Sequence, residues 1–359
     1  MSSLANTAGE AGADPETVAL DIDALARHLA EALPHGLRGE LRARLIAGGR
    51  SNPTYELTDG TSHWILRRPP YGEILQSAHD MSREARVMSA LAGSAVPVPT
   101  VVDHCEDTSV LGVGFYVMDK LQGRTLRTHG DTGTLTPEQR AGVTDAMLDT
   151  LVALHDIDPA QVGLADWGKA EGYLERQLRR WSRQWHTVKT SERPEVDELL
   201  ELLGKTVPPL RYPGIVHGDY KIDNLMIDND DPTRILGVLD WELSTLGDTL
   251  TDLGNLISFW DEVGQIHNPI TAGATAHEGF GSAQDVVEKY AARRGISIDD
   301  FAWYIVFADL RLAVILEQIH ARHLQGTTVG DWFDDIGAMV GPLLERARQR
   351  ADTAELHGR

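Results

Sequence analysis

The chain has 359 residues, 42% hydrophobic and 24% charged, the balance of a folded protein long enough for one bilobal unit or two domains. Its formal net charge of −21 opposes non-specific binding to DNA, RNA or anionic membranes, whose phosphates it would repel. The single Cys105 excludes an intramolecular disulfide and fits a reducing cytoplasm.

Residues 1–20 open small and polar, without a basic leader or an apolar run, and read as a flexible tail. Ile22, Leu25, Leu29 and Leu33 then recur at helical spacing, and Pro34 helps to end that helix. The period changes at "LRARLI" (41–46), "TYEL" (54–57) and "HWILR" (63–67), which alternate as strands. "GGRSN" (48–52) and "DG" (59–60) are the turns between them. A helix over 78–91 and strands at 100–105 and 115–119 complete a first lobe, residues 21–119: an antiparallel sheet with one packed helix. Residues 120–359 form a larger, mainly helical lobe, with helices predicted over 137–155, 170–185, 194–203, 251–260, 283–294, 299–323 and 332–350. "FAWYIVFADLRLAVIL" (301–316) is broken by Asp309 and Arg311 and too short to span a bilayer, so it reads as a buried helix. The fold class is α+β and bilobal, with no internal repeat.

The helical run is interrupted by "IVHGDYKIDNLMI" (215–227), which sets His217, Asp219 and Asn224 between apolar pairs. Gly218, Asp219, Asp223 and Asn224 are turn formers, so a tight turn is one reading. The other is a loop for phosphoryl transfer, where a protein mostly positions groups and neutralises charge. That chemistry needs a carboxylate at the acceptor hydroxyl, and Asp219 is the candidate base or hydroxyl-orienting group. It needs oxygen ligands for Mg²⁺, and Asn224 and Asp240 are the candidates. Asp240 closes the strand-like "ILGVLD" (235–240), and His217 would prop the loop. The pattern H-x-D-x₄-N is weak alone; a strand ending in Asp240 downstream of it makes it far more specific.

"HGDYKIDN" followed by "VLDWE" resembles the catalytic and metal loops of the aminoglycoside phosphotransferase family, which shares the protein-kinase-like fold with choline, homoserine and fructosamine kinases. The resemblance runs from about residue 21 to the end. "LRRPP" (66–70), "VPVPTVVDHCED" (96–107) and "RQLRRWSRQW" (176–185) most resemble the kinase domain fused to some acyl-CoA dehydrogenases. It implies ATP and Mg²⁺ as cofactors and a small hydroxylated substrate, with no nucleic-acid or membrane partner. Gly48, Gly49, Ser51 and Asn52 would form the phosphate-covering turn. Arg67 would be the phosphate-contacting cation, Glu84 its partner, and Met118, Asp119 and Leu121 part of the connector that meets adenine. Lys221 would point at the transferring phosphoryl group.

Two departures stand out. Arg67 stands where many relatives have Lys, and Arg binds phosphate as a fork and not as a point charge. Asp240 is followed by Trp241 and Glu242, and "GDTLTDLGNL" (247–256) begins the next helix with no activation segment, so a small molecule is the expected acceptor.

Each assignment has a plainer rival. Arg68 competes with Arg67, and the charges around Glu84 could be solvated. Asp248 and Asp252 are expected to cap or brace a helix, and His155, His217 and His320 to be structural. No G-x-S-x-G elbow supports a serine hydrolase. Arg176, Arg179, Arg180 and Arg183, interleaved with Trp181 and Trp185, form a basic aromatic stripe suited to an anionic acceptor such as a hydroxyacyl-CoA, unless surrounding carboxylates neutralise it. The functional expectation is a small-molecule kinase. A drug-modifying aminoglycoside phosphotransferase and an inactive nucleotide-binding scaffold are the alternatives.

Overall fold

The computed structural model describes residues 20–46, 52–69, 81–264, 270–326 and 336–356. They fall into two compact units, Met1–Ser82 with Val101–Lys120, and Arg83–Thr100 with Leu121–Arg359.

In the first unit, α1 (Ile22–Ala32) precedes β1 (Arg42–Leu45), β2 (Thr54–Thr58) and β3 (His63–Arg67). After α2 (Met81–Leu91), most of which belongs to the second unit, come β4 (Val101–Cys105), α3 (Thr108–Leu111) and β5 (Phe115–Asp119). The strands form one antiparallel sheet in the order β1-β2-β3-β5-β4. Alternation decides which side is buried: Leu57, Leu66, Phe115 and Val117 face a core closed by Leu25 and Leu29 of α1. Asp21 caps that helix by accepting from the Ala24 amide at 2.9 Å. The "DG" turn is held by Asp59, whose carboxylate accepts from the Arg38, Thr61 and Ser62 amides at 2.7–2.9 Å. These donors keep its pKa below the ordinary aspartate value.

The second unit continues with β6 (Gly123–Thr125), α4 (His129–Gly133), α5 (Pro137–His155), α6 (Tyr173–Val188) and α7 (Pro194–Lys205). Then come β7 (Pro213–Val216), β8 (Leu225–Asp228), β9 (Ile235–Val238) and β10 (Thr245–Asp248). Helices α8 (Leu250–Ser258), α9 (Ala283–Arg294), α10 (Phe301–Leu324) and α11 (Val340–Thr353) complete it. Two small antiparallel sheets, β6-β8-β9 and β7-β10, sit among the helices. Helix starts follow the caps in the sequence: Thr136 with Gln139, and Ser282 with Asp285, form reciprocal capping boxes.

Helix α10 is buried along most of its length, as its apolar run requires. No helix among the described residues is long and apolar enough to cross a membrane. Three elements differ from the sequence expectation. Strand β9 stops at Val238, two residues short of Asp240. Strand β10 is unexpected, and its last two residues fall in the stretch read as opening the next helix; pairing with β7 supplies the order that local propensity does not. The helix expected over 332–350 begins at Val340, after a 3₁₀ turn over Ile336–Met339.

Candidate active site

Strand β7 delivers the chain to His217, Gly218 and Asp219. Gly218 has φ +85°, and a Cβ there would lie 2.7 Å from the Leu243 carbonyl oxygen, so no other residue fits this turn. Its peptide is held from both sides. Asp252 of α8, fully buried, accepts from the His217 and Gly218 amides at 2.6 and 2.8 Å. Arg311 of α10 donates to the Gly218 carbonyl at 2.7 Å. The His217 ring fixes the next residue: Nδ1 accepts from the Asp219 amide at 3.1 Å, so the proton sits on Nε2, which donates to the Leu239 carbonyl at 3.0 Å. Burial keeps His217 neutral, pushing its pKa down against the pull of Asp252, Asp219 and Asp240.

Asp219 Oδ2 accepts from Lys221 Nζ at 2.5 Å and from Asn224 Nδ2 at 3.0 Å. The same Asn224 nitrogen reaches the Asp219 carbonyl at 2.9 Å, which turns its Oδ1 away; among the described residues that oxygen accepts no hydrogen bond. Burial raises the Asp219 pKa, but Lys221 and Arg311 outweigh it and hold the carboxyl below its ordinary value. Burial likewise opposes the charge on Lys221, and Asp219 and Asp223 overcome it, so its pKa is raised. Asp223 Oδ1 is buried with no hydrogen-bond partner, 3.7 Å from Lys221 Nζ. Its pKa is raised by burial and by Asp219, against the pull of Lys221.

Asp240 reaches this loop through strand pairing. Leu225 of β8 faces Val238 of β9, and the Leu239 amide donates to the Asn224 carbonyl at 2.8 Å. Asn224 and Asp240 therefore lie at the same end of one hairpin. Asp240 is half-buried with φ +65°, a left-handed conformation that ends the strand early. Trp241 locks the turn, its indole donating to the Val238 carbonyl at 3.0 Å and packing 4.6 Å from the His217 ring.

The remaining predicted residues divide between the units. Gly48, Gly49 and Ser51 lie outside the described residues. Asn52 is buried, and its carbonyl accepts from Thr54 Oγ1. Arg67, half-buried on β3, donates to the Tyr116 hydroxyl at 3.5 Å, whereas Arg68 is buried and donates to Pro69 O and the Tyr55 hydroxyl. Met118 and Asp119 end β5. Glu84, buried on α2, and Leu121, packed against Gly237, belong to the second unit, so Glu84 and Arg67 fall in different units. Arg176 donates to the Lys169 and Glu171 carbonyls, and among the described residues none of Arg176, Arg179, Arg180 and Arg183 pairs with a carboxylate.

Sequence reasoning did not anticipate a buried chain behind the loop. His155 Nε2 lies 3.2 Å from Asp252 Oδ2, and its Nδ1 lies 2.6 Å from the Tyr290 hydroxyl. Since Asp252 only accepts, His155 carries its proton on Nε2 and Nδ1 accepts from Tyr290, whose oxygen accepts from Arg294 at 3.0 Å. Every donor in the chain points toward Asp252. Burial pushes the His155 pKa down, although Asp252 opposes it. A charged residue inside an apolar run was the one available signal for Arg311; Tyr290 and Arg294 carried none.

A sequence profile of the phosphotransferase enzyme family matches residues 42–292. Acyl-CoA dehydrogenase family member 10 of Mus musculus is 32% identical over 337 residues, covering 92% of this chain and 31% of its own length. Family member 11 of Gallus gallus is 32% identical over 338 residues, covering 91% and 43%. The chain thus spans less than half the length of these curated relatives. A solved structure from Ralstonia eutropha JMP134, provisionally named an aminoglycoside phosphotransferase, matches with TM-score 0.80 and 32% identity over 93% of this chain and 99% of its own. The aminoglycoside phosphotransferase APH(4)-Ia, solved with ADP and hygromycin B, shares the fold at TM-score 0.58 and 17% identity, over 86% and 94%. The His217–Asn224 loop and the Asp240 hairpin lie within the matched profile, and the chain belongs to the phosphotransferase enzyme family and has the kinase-like fold of these neighbours.

Proposed function

We propose that the chain transfers the γ-phosphate of ATP to a hydroxyl of a small anionic metabolite, with Asp219 as the group that receives the hydroxyl proton. The observation that carries this reading is the Asp219 carboxylate, kept ionised by Lys221 and Arg311 and aimed by three separate hold-points on its loop. Asp219 first orients the acceptor hydroxyl. As the acceptor oxygen bonds to phosphorus and the bond to the ADP oxygen breaks, Asp219 takes the proton. Lys221 keeps negative charge tolerable in this buried place and faces the incoming phosphoryl group.

The donor set suits Mg²⁺, which prefers hard oxygen ligands. Asn224 offers an unengaged Oδ1, Asp223 Oδ1 is buried without a donor, and Asp240 shares the hairpin end with Asn224. Asn224 and Asp240 would hold the ion, which when bound neutralises phosphate charge. The first unit, near the sequence boundaries 21–119, would take the nucleotide. There Asn52, with Gly48, Gly49 and Ser51, would cover the phosphates, Arg67 would contact them, and Met118 and Asp119 would meet adenine. ADP in the fold neighbour APH(4)-Ia supports a nucleotide cosubstrate.

A hydroxyacyl-CoA is the favoured acceptor, on the strength of relatives named as acyl-CoA dehydrogenase family members and of the arginines on α6, which pair with no carboxylate among the described residues. An aminoglycoside is the second reading, supported by hygromycin B in APH(4)-Ia. Labelled ATP with a panel of both acceptor types tests the choice. Asp219→Asn should keep nucleotide binding and lose about 10²-fold or more in turnover. Near-normal turnover of Asp219→Asn on its best acceptor would remove the base assignment. Nucleotide binding with no transfer to any acceptor would favour the inactive scaffold.

A further inference from the structure

Of the four arginines on α6, one stands apart. Arg180 and Arg311 flank the same indole, with guanidinium carbons 5.6 and 5.3 Å from the Trp181 ring centroid. Arg311 is 6% exposed, and apart from its bond to Gly218 its Nε finds no hydrogen-bond partner. Trp181 is 9% exposed, and its indole N–H is equally without an acceptor. Neither arginine pairs with a carboxylate among the described residues.

Arg311 Nε and the Trp181 indole N–H are buried donors with no acceptor among the described residues, and Arg180, exposed to solvent, adds a second positive charge beside the same indole. Burying such donors unsatisfied is unfavourable unless something outside the chain completes them. The buried charge two residues earlier on α10 shows the contrast: Asp309 is met by both Arg346 and Arg350. What the Arg180–Arg311 pair lacks is oxygen carrying negative charge. Arg311 also holds the Gly218 carbonyl, one residue before Asp219, and depresses the Asp219 pKa. An anion seated there lies close to the reacting hydroxyl.

We infer that Arg180, Trp181 and Arg311 form an oxyanion subsite beside the catalytic loop that receives an acidic group of the acceptor. This rests on the kinase reading above and narrows it: the stripe reduces to Arg180, since Arg176 is committed to backbone carbonyls and nothing ties Arg179 or Arg183 to the loop. The oxyanion can be the carboxylate of a hydroxy acid or a phosphate of a larger acceptor. Both are planar or tetrahedral oxygen groups that a guanidinium fork and an indole N–H can share.

Calorimetric titration of the whole chain with inorganic phosphate and with 4-hydroxybutyrate tests the subsite without requiring turnover. Saturable binding is expected, weakened about tenfold or more in Arg180→Gln, less in Trp181→Phe, and unchanged in Arg348→Gln on the exposed side of α11. No saturable binding, or binding that Arg180→Gln leaves intact, overturns the proposal and points to a trapped water between Arg311 and Trp181. Turnover assays then separate the two ligand sources. Transfer to 4-hydroxybutyrate but not its amide, lost in Arg180→Gln, assigns a carboxylate. Preference for hydroxyacyl-CoA over hydroxyacyl-pantetheine, abolished by the same change, assigns a phosphate. Equal transfer to charged and neutral acceptors, indifferent to Arg180→Gln, sinks the subsite and leaves the kinase reading standing. Arg180-dependent anion binding with no transfer to any acceptor keeps the subsite and sinks the kinase reading.

Discussion

Asp252 and Asp309 are both fully buried carboxylates, on helices α8 and α10 that pack together, and they are satisfied in opposite ways. Asp309 meets two guanidinium groups and the Ser258 hydroxyl at 2.6–2.8 Å. Asp252 meets two backbone amides and a neutral histidine. The first arrangement cancels charge and ties α11 to the core. The second leaves the negative charge uncancelled at contact distance and uses it to aim peptide dipoles. One aspartate holds the unit together, and the other sets the shape of a loop.

The contrast can be broken by swapping what each carboxylate loses. Asp309→Ala should show the largest effect, a loss of about 3 kcal/mol of stability in denaturant unfolding, since two arginines lose their acid. Turnover per folded molecule should stay near normal. A folded Asp309→Ala protein with collapsed turnover would blur the division. Asp252→Asn should do the reverse, lowering turnover about 10²-fold with a smaller loss of stability, because an amide nitrogen would face one of the two amides the carboxylate accepts from. Unchanged turnover would show that the loop keeps its shape without Asp252.

Tyr290→Phe sharpens the picture further. It strips His155 Nδ1 of its donor and removes the acceptor of an Arg294 N–H, a loss of about 1–2 kcal/mol. If the chain positions the loop, turnover falls several-fold while the KM for ATP stays constant; loss of melting temperature alone would make it merely structural. The smallest effect is a slope. His155 and His217 both have folded pKa values below 6.5, so the unfolded chain takes up their protons first and stability falls as pH drops below about 6.5. Each histidine contributes up to about 1.4 kcal/mol per pH unit there. His155→Gln, which can donate to Asp252 and accept from Tyr290, should roughly halve that slope. An unaltered slope would mean that other groups set the acid limit.

What the sequence disclosed follows contact range. The strands of the first unit, helices α5 and α9, and the His217–Asn224 spacing depend on near neighbours and were legible as period, caps and motif. The Asp252 brace was half legible, since an acid in the first turn of α8 reads as a helix cap while its true partners lie on β7's loop. Arg311 and Gly218 stand 93 residues apart, and Tyr290 and His155 135 apart. Periodicity cannot encode which distant side chains meet; only the packed helices decide it. The same holds for the α6 stripe, where four arginines on one helix look alike until α10 places Arg311 beside one of them.

Asp240 adopts φ +65°, a conformation that glycine occupies freely and asparagine more readily than most residues. Its backbone would gain from replacement while the site would lose a carboxylate, so two selective pressures pull on one codon in opposite directions. A library of this chain enriched only for survival at high temperature should therefore accumulate Asp240→Gly and Asp240→Asn. Such survivors would be well folded and catalytically silent, and an activity step in each round would be needed to keep them out.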